Sequence, residues 1–436
     1  MKNFYRFEFF RALSSGLISP FISIFALTLG ASNLIIGYTS AFTQLCYISF
    51  QLLISFILVK KKKALGSSSL FFATFFWAFM WLIIGKSKNP YELLLFLGMQ
   101  AIFTAIIALS WTNLIVSSIP SHKRGRTISE LNRRNAIGSI IATLIAGYIL
   151  NKYGFVSFVF FASFFFGILA SINFFSLKQI KSIIIKTNMD VKKDEDNSEF
   201  KKLLIGRSFL NFSVGIAAPF LSVYVVKNLG GTTIDIALIS ITSSLFTILF
   251  YRPWGFVVDF VGRKITMLSS LILISTIPLF YAIAPNPIVL YFLVPIGSIG
   301  WAGFDIASFA YFSDVIAKRN AFKTTALYNA SIEFSTIIGN FFGSFIAQFY
   351  GIFYVLIISF ILRLFSMPLF VKIKDTKGSK DIKIETAEPI KFIEESVTLY
   401  LILFSSFEKN VRKDIFLKIR HLLRAIGKEM RKRLFE

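Results

Sequence analysis

Two stretches of the chain carry one frame. Ser14-Ser-Gly-Leu-Ile-Ser-Pro-Phe-Ile-Ser-Ile-Phe25 aligns with Ser213-Val-Gly-Ile-Ala-Ala-Pro-Phe-Leu-Ser-Val-Tyr224 at an offset of 199 residues, sharing S-x-G-x-x-x-P-F-x-S-x-[FY]. Leu29-Gly30 then matches Leu229-Gly230 at an offset of 200. At that offset a polar stripe of Ser40, Gln44, Tyr47, Gln51 and Ser55 meets another of Ser240, Ser244, Thr247, Tyr251 and Gly255. Steps of three and four residues put each stripe on one helix face. Further on, Asn132 matches Asn329 and Gly154 matches Gly351, at an offset of 197. The chain is therefore two related halves, the pattern of a transporter with parallel repeats.

Composition says where those halves reside. Of 436 residues, 55% are hydrophobic and 16% charged, with 53 phenylalanines. An ordinary soluble domain carries about 25% charged residues. Mean hydropathy is +0.69. Disordered chains, coiled coils and disulfide scaffolds are excluded, and a soluble enzyme could not hide this much apolar surface. The apolar residues fall into twelve segments of bilayer length, near 7–29, 34–59, 66–85, 91–116, 128–150, 155–176, 204–226, 235–252, 265–284, 287–312, 324–348 and 351–371. The expected fold is an all-α polytopic membrane protein. Residues 2–30 resemble a signal peptide but lack a small-residue cleavage site, so they are taken as the first span.

The net charge of +24 would suggest nucleic-acid binding in a soluble protein. Here its distribution matters more. One set of loops holds Lys60 to Lys63, Lys123, Arg124, Arg126, the 177–203 segment, Arg263, Lys264, Lys318, Arg319 and Lys323. The opposite loops hold Lys86, Lys88, Lys152 and Lys227, four of 47 basic residues. The positive-inside rule then places both termini in the cytosol of a cell-membrane protein with an even number of spans. The positive charge faces anionic lipid heads, and no nucleic acid is needed. A polar linker, 178–203, separates an N-terminal unit, 1–177, from a C-terminal unit, 204–371. In the tail, 372–436, Val411, Ile415, Ile419, Leu422, Ile426, Met430 and Leu434 recur at helical spacing among basic residues. That pattern predicts an interfacial helix on the inner leaflet, or a helix that binds a partner.

One loop carries a resemblance. Gly255-Phe-Val-Val-Asp259-Phe-Val-Gly262-Arg263-Lys264 resembles the signature loop of the major facilitator superfamily, with Phe260 where a basic residue is usual. The matching first-half loop, Ser55-Phe-Ile-Leu-Val-Lys60-Lys-Lys-Lys63, keeps only the positive charge. Ile119-Pro-Ser-His-Lys-Arg124-Gly-Arg126 and Ser313-Asp314-Val-Ile-Ala-Lys318-Arg319 are similar to other loops of that superfamily. The resemblance extends over roughly residues 5–372. It implies twelve helices in two six-helix pseudo-symmetric bundles, with spans 1, 4, 7 and 10 around a central cavity. Gly255, Asp259, Gly262, Arg263 and Lys264 would then form a gating latch, Asp259 facing the start of span 5 near Arg126 and Thr127.

Charges inside spans are the sharpest functional signal, since insertion scales set their cost at about 2.5–3.5 kcal/mol each. Asp305 lies nine residues before Asp314, about 13 Å deep, and Glu333 lies ten residues after Lys323 at similar depth. Two carboxylates on adjacent helices suit proton binding and release. The competing reading is a structural ion pair with Arg133 or Arg134 of span 5 that closes the cytoplasmic side. Candidate cavity residues are Ser23, Phe25, Ser222 and Tyr224 beside the mid-span Pro20 and Pro219, with Gln100 and Trp111 of span 4, Trp301 of span 10 and Asn329 of span 11.

His122 and His421 stand apart, the lone Cys46 allows no internal disulfide, and neither a catalytic grouping nor a nucleotide loop appears. No cofactor, metal or enzyme activity is expected. The expected function is secondary active transport of a small organic solute by alternating access, proton-coupled, in a monomer. Two acids without an evident unpaired base tilt the solute toward neutral, cationic or lipophilic compounds, for efflux or uptake. A polytopic membrane enzyme or a lipid scramblase is the alternative, and neither predicts the two-half repeat.

Overall fold

The computed structural model describes residues 2–60, 65–119, 121–175, 198–316 and 321–374. The first half runs α1 (Lys2–Gly16), α2 (Ile22–Thr28), α3 (Asn33–Lys60), α4 (Ser67–Ile84), α5 (Pro90–Ser118), α6 (Ser121–Tyr153) and α7 (Ser157–Ile172). The second runs α8 (Ser198–Ala217), α9 (Leu221–Lys227), α10 (Thr233–Val261), α11 (Arg263–Ile283), α12 (Pro287–Ile316), α13 (Ala321–Phe349) and α14 (Ile352–Val371). Among the described residues eleven spans are long and apolar enough to cross a membrane, with α1–α2 and α8–α9 each taken as one. The twelfth apolar helix, α7, has 16 residues. Most of the interhelical linker and of the basic tail lies outside the described residues, as do the predicted tail helix and the Arg126 side chain.

The repeat is visible atom by atom. A 3-10 turn over Ser19–Phe21 breaks the first span, and one over Ala218–Phe220 breaks the seventh. Pro20 and Pro219 lack the amide hydrogen that a continuous helix would use there. Each broken span then ends on a left-handed glycine, Gly30 with φ 86° and Gly230 with φ 66°. A side chain there would cost about 1–2 kcal/mol.

Packing repeats as well. A Cβ on Gly16 would sit 3.0 Å from the Ser139 carbonyl oxygen of α6, and one on Gly215 would sit 2.4 Å from the Thr336 carbonyl oxygen of α13. The first span thus touches the fifth as the seventh touches the eleventh, backbone against backbone, as small residues permit in a bilayer. Ser14 and Ser163 donate to each other's carbonyl oxygens at 2.6 and 2.8 Å, and Ser359 donates to the Ser213 carbonyl oxygen at 2.6 Å.

The halves meet along α3 with α13 and along α6 with α10. Their bonds gather at the end of the bundle far from the N-terminus. Asn33 Nδ2 donates to the Ala347 carbonyl oxygen at 2.9 Å, and Thr233 Oγ1 donates to the Gly147 carbonyl oxygen at 3.0 Å. Tyr38 packs edge-on against Phe341 with ring centroids 5.1 Å apart. A Cβ on Gly37 would come within 1.7 Å of Ser344 Oγ. Toward the end that carries the N-terminus, the same faces open. Ile236, Ala237 and Asn340 are buried, whereas Ser244, Ile248, Tyr251, Arg252, Asn132, Arg133 and Asn329 are exposed. A cleft between the halves therefore opens toward the N-terminal end and is sealed at the far end.

Candidate functional site

Charged-residue clusters lie in each half, one around Asp305 and one around Glu8. On the second half Arg207 of α8 reaches Asp305 of α12, with Nη2 donating to Oδ1 at 3.3 Å. Asp305 is 45% exposed at its side chain and Arg207 13%. Behind the pair, the guanidinium lies 4.8 Å from the Phe304 ring centroid and 5.9 Å from that of Trp301. Such cation–π contacts hold an arginine where water is scarce. Nε and Nη1 of Arg207 have no hydrogen-bond partner among the described residues. Tyr251 and Tyr328 sit within electrostatic reach of Asp305.

On the first half Glu8 of α1 is 5% exposed and accepts from Arg11 Nη2 and Asn135 Nδ2, both at 2.8 Å. The second of these bonds ties α1 to α6. Burial of a carboxylate is tolerable because both a cation and a neutral donor meet it.

Glu333 of α13 is half-buried on the face turned to α3, beside Tyr47. It has no ion-pair or hydrogen-bond partner among the described residues. With the cleft open at this end, neither Arg133 nor Arg134 is paired with Asp305 or Glu333 among the described residues. Both arginines bind Glu130 Oε1 one turn away, at 2.8 and 3.1 Å, and Arg133 is 64% exposed. Arg134 also lies 4.9 Å from the Tyr5 ring centroid. The reason is local: three or four residues of helix bring a carboxylate and a guanidinium together without crossing the cleft.

Among the residues expected to form a latch, Gly262 has φ 104° and breaks the chain between α10 and α11. A Cβ on Gly255 would meet open space. Arg263 bonds Asp314 at 3.2 Å, so the second-half loop is tied to the end of α12. Lys264 lies half-buried in the first turn of α11. The Asp259 side chain is outside the described residues.

The cavity candidates divide. Trp301 backs the Arg207–Asp305 pair, and Asn329 is exposed on the open part of α13. Ser23 and Ser222 are half-buried just past the two breaks. Four others are used inside their own half. Phe25 packs on Phe155 and Phe160, with centroids 4.9 and 5.1 Å away. Gln100 donates to the Trp77 carbonyl oxygen at 3.2 Å. Trp111 stacks on Phe7 at 4.8 Å. Tyr224 is buried in the apolar core.

Sequence reasoning passed over Glu8, Arg11, Arg207 and Arg363, and the expectation of no evident unpaired base in the core is corrected by Arg363, which has no carboxylate partner among the described residues. Arg363 of α14 is 2% exposed and donates to the Ile274 carbonyl oxygen at 3.0 Å. The available signal was simple: each is a charge inside an apolar window, and Glu8 and Arg207 share the 199-residue offset of the repeat.

Two repeated helical halves around a one-sided polar cleft define the class as a multi-pass membrane protein built as carriers are. The chain belongs to the Major Facilitator Superfamily, whose model matches residues 7–193 and 203–424. Solved structures share the fold. A nucleoside transporter, NupG, has 14% identity, covers 85% of this chain and 98% of its own, and gives a TM-score of 0.63. A bacterial homologue of the iron transporter ferroportin in an inward-facing state has 14% identity, 85% and 97% coverage and a TM-score of 0.65. A bacterial homologue of the lysosomal transporter Spinster, inward-facing and occupied, has 13% identity, 84% and 94% coverage and a TM-score of 0.61. A curated Na(+), Li(+), K(+)/H(+) antiporter of Planococcus maritimus is 28% identical over 157 residues, 34% of this chain. The match spans about a third of that relative, 36% of its length. Family and neighbours point to a transporter rather than an enzyme.

Proposed function

We propose that this protein is a secondary active transporter that moves a small organic solute by alternating access, coupled to protons, and that the described state is open to the cytosol. The observation that carries the reading is the gradient along the interface between halves, sealed at the far end and open, polar and charged at the N-terminal end. The excess of lysine and arginine at that end supports a cytosolic position for both termini in the cell membrane. Anionic lipid heads are then the neighbours of that basic face.

Asp305 suits the solute or the proton, because half of its side chain meets the cleft while Arg207 holds one oxygen. Glu333 suits the proton. Closing the open end presses it against Gln44, Tyr47 and Gln51 of α3, a polar face without a cation. An ionised carboxylate leaving water there pays a desolvation cost that protonation removes. A small cation exchanged for protons is a second reading, favoured by the partial likeness to the cation/proton antiporter. Purified protein in vesicles loaded with a pH-sensitive dye tests both readings. Addition of sodium, potassium or ethidium should move protons, and the movement should be lost in Glu333→Gln.

A further inference from the structure

We infer that Glu130 of α6 and Arg252 of α10 meet when the open end closes, forming an ion pair that latches the two halves. The inference rests on the alternating-access reading and names a contact of the state not described above.

Register sets the depth of both side chains. Helices α6 and α10 run antiparallel, and Gly147 marks where they touch. A Cβ there would lie 2.6 Å from Ala237 Cβ, 3.2 Å from the Thr233 carbonyl oxygen and 3.6 Å from Ile234 Cα. Gly147 thus stands opposite the turn centred near residue 235. Seventeen residues back along α6 is Glu130, and seventeen forward along α10 is Arg252. Both therefore lie about 25 Å from the contact, at one depth, where the cleft is open.

Direction agrees as well. At 100° per residue, Glu130 lies about 100° round from Gly147 and Arg252 about 60° round from Ala237. Antiparallel helices that face each other turn toward the same flank, so the two side chains point to one edge of the interface.

The chemistry is prepared on both sides. Arg133 and Arg134 both bind Glu130 through Oε1, and Oε2 has no partner among the described residues. Arg252 is exposed and likewise has no ion-pair partner among them. Rocking of one half against the other brings this guanidinium to that carboxylate oxygen. Arg133, mostly in water, can turn aside from the arriving cation.

Cross-linking in a Cys46→Ser background tests the pair. Glu130→Cys with Arg252→Cys should cross-link with a short bifunctional thiosulfonate. Two controls report the halves themselves: Ile48→Cys with Ala330→Cys for closure of the open end, and Asn33→Cys with Ala347→Cys for the sealed end. Without cysteines at 130 and 252, Arg252→Gln and Glu130→Gln should each slow the 48–330 cross-link about threefold to fivefold, the worth of an exposed pair. The double variant should lose no more than either single, and Glu130→Arg with Arg252→Glu should recover much of the rate. Cross-linking of 48–330 without 130–252, or strictly additive single effects, overturns the pair and leaves alternating access standing. Cross-linking at the sealed end alone, with neither open-end pair ever forming, overturns alternating access and the pair together.

Discussion

Glu8 and Arg207 occupy equivalent positions of the two repeats, 199 residues apart, and carry opposite charges. Each is held by a different helix of its own half. Glu8 takes Asn135 of α6 as well as its neighbour Arg11, and Arg207 takes Asp305 of α12. The scaffold is symmetric and its electrostatics are not. The opposite charges on the two broken spans are each balanced within their own half, Glu8 by Arg11 and Arg207 by Asp305.

Glu8→Gln removes the charge and keeps the shape. Arg11, already partly in water, loses its carboxylate, and the α1–α6 tie is reduced to neutral bonds. Stability should fall by roughly 2–4 kcal/mol, less than the full loss of a wholly buried pair. Asn135→Ala should cost about 1 kcal/mol, the worth of one hydrogen bond. Thermal unfolding in detergent checks both, and equal melting temperatures for the three proteins would show that the cluster is not structural.

Arg207→Gln should impair transport more than it impairs folding. Asp305 is half-exposed, so the lost pair is worth only about 1 kcal/mol of stability. The site itself loses its cation, and solute-driven proton movement should drop at least tenfold. Arg207→Lys should recover less than half, because a point charge cannot keep the flat contact with Phe304 and Trp301. Full activity in Arg207→Gln would remove the pair from the transport site.

Gly37→Val should wedge the sealed end apart. Even the first carbon of a side chain would collide with Ser344 Oγ. The substitution should raise the labelling rate of Asn33→Cys by an impermeant thiol reagent several-fold, and Ser344→Gly should reverse much of that rise. An unchanged rate would mean that α3 and α13 do not separate there.

Topology is checked with single cysteines at Lys88→Cys and Ser198→Cys in a Cys46→Ser background. An impermeant reagent should label the first in intact cells and spare the second. Labelling of the Ser198 site would invert the orientation.

Much of this was legible in the sequence. Periodicity and length gave the spans, because a bilayer leaves a chain few choices. The Pro-Phe frame gave the repeat, and the breaks at Ser19–Phe21 and Ala218–Phe220 fall on it. The site was less legible. Phe25, Gln100, Trp111 and Tyr224 have the side chains of a binding cavity, but helical rotation turns them into their own half. Arg207 was missed because one charge in an apolar window contributes little to a pattern, although it decides what Asp305 can do. Partners across helices depend on rotation and depth together, and neither is written in local spacing.

In the proposed cycle the two halves exchange access across the membrane, and protonation of Glu333 permits the exchange. Spin-label distances measured between pH 5 and pH 9 test it without knowledge of the solute. One pair, Leu53→Cys with Leu327→Cys, spans the open end, and another, Ser32→Cys with Tyr350→Cys, spans the sealed end. Acid should populate a short distance at the first pair and a long one at the second, in equal proportion. Glu333→Gln should hold the short open-end distance at every pH, since the neutral amide needs no proton to leave water. Distances that ignore pH, or two ends that widen and narrow together, would contradict the account.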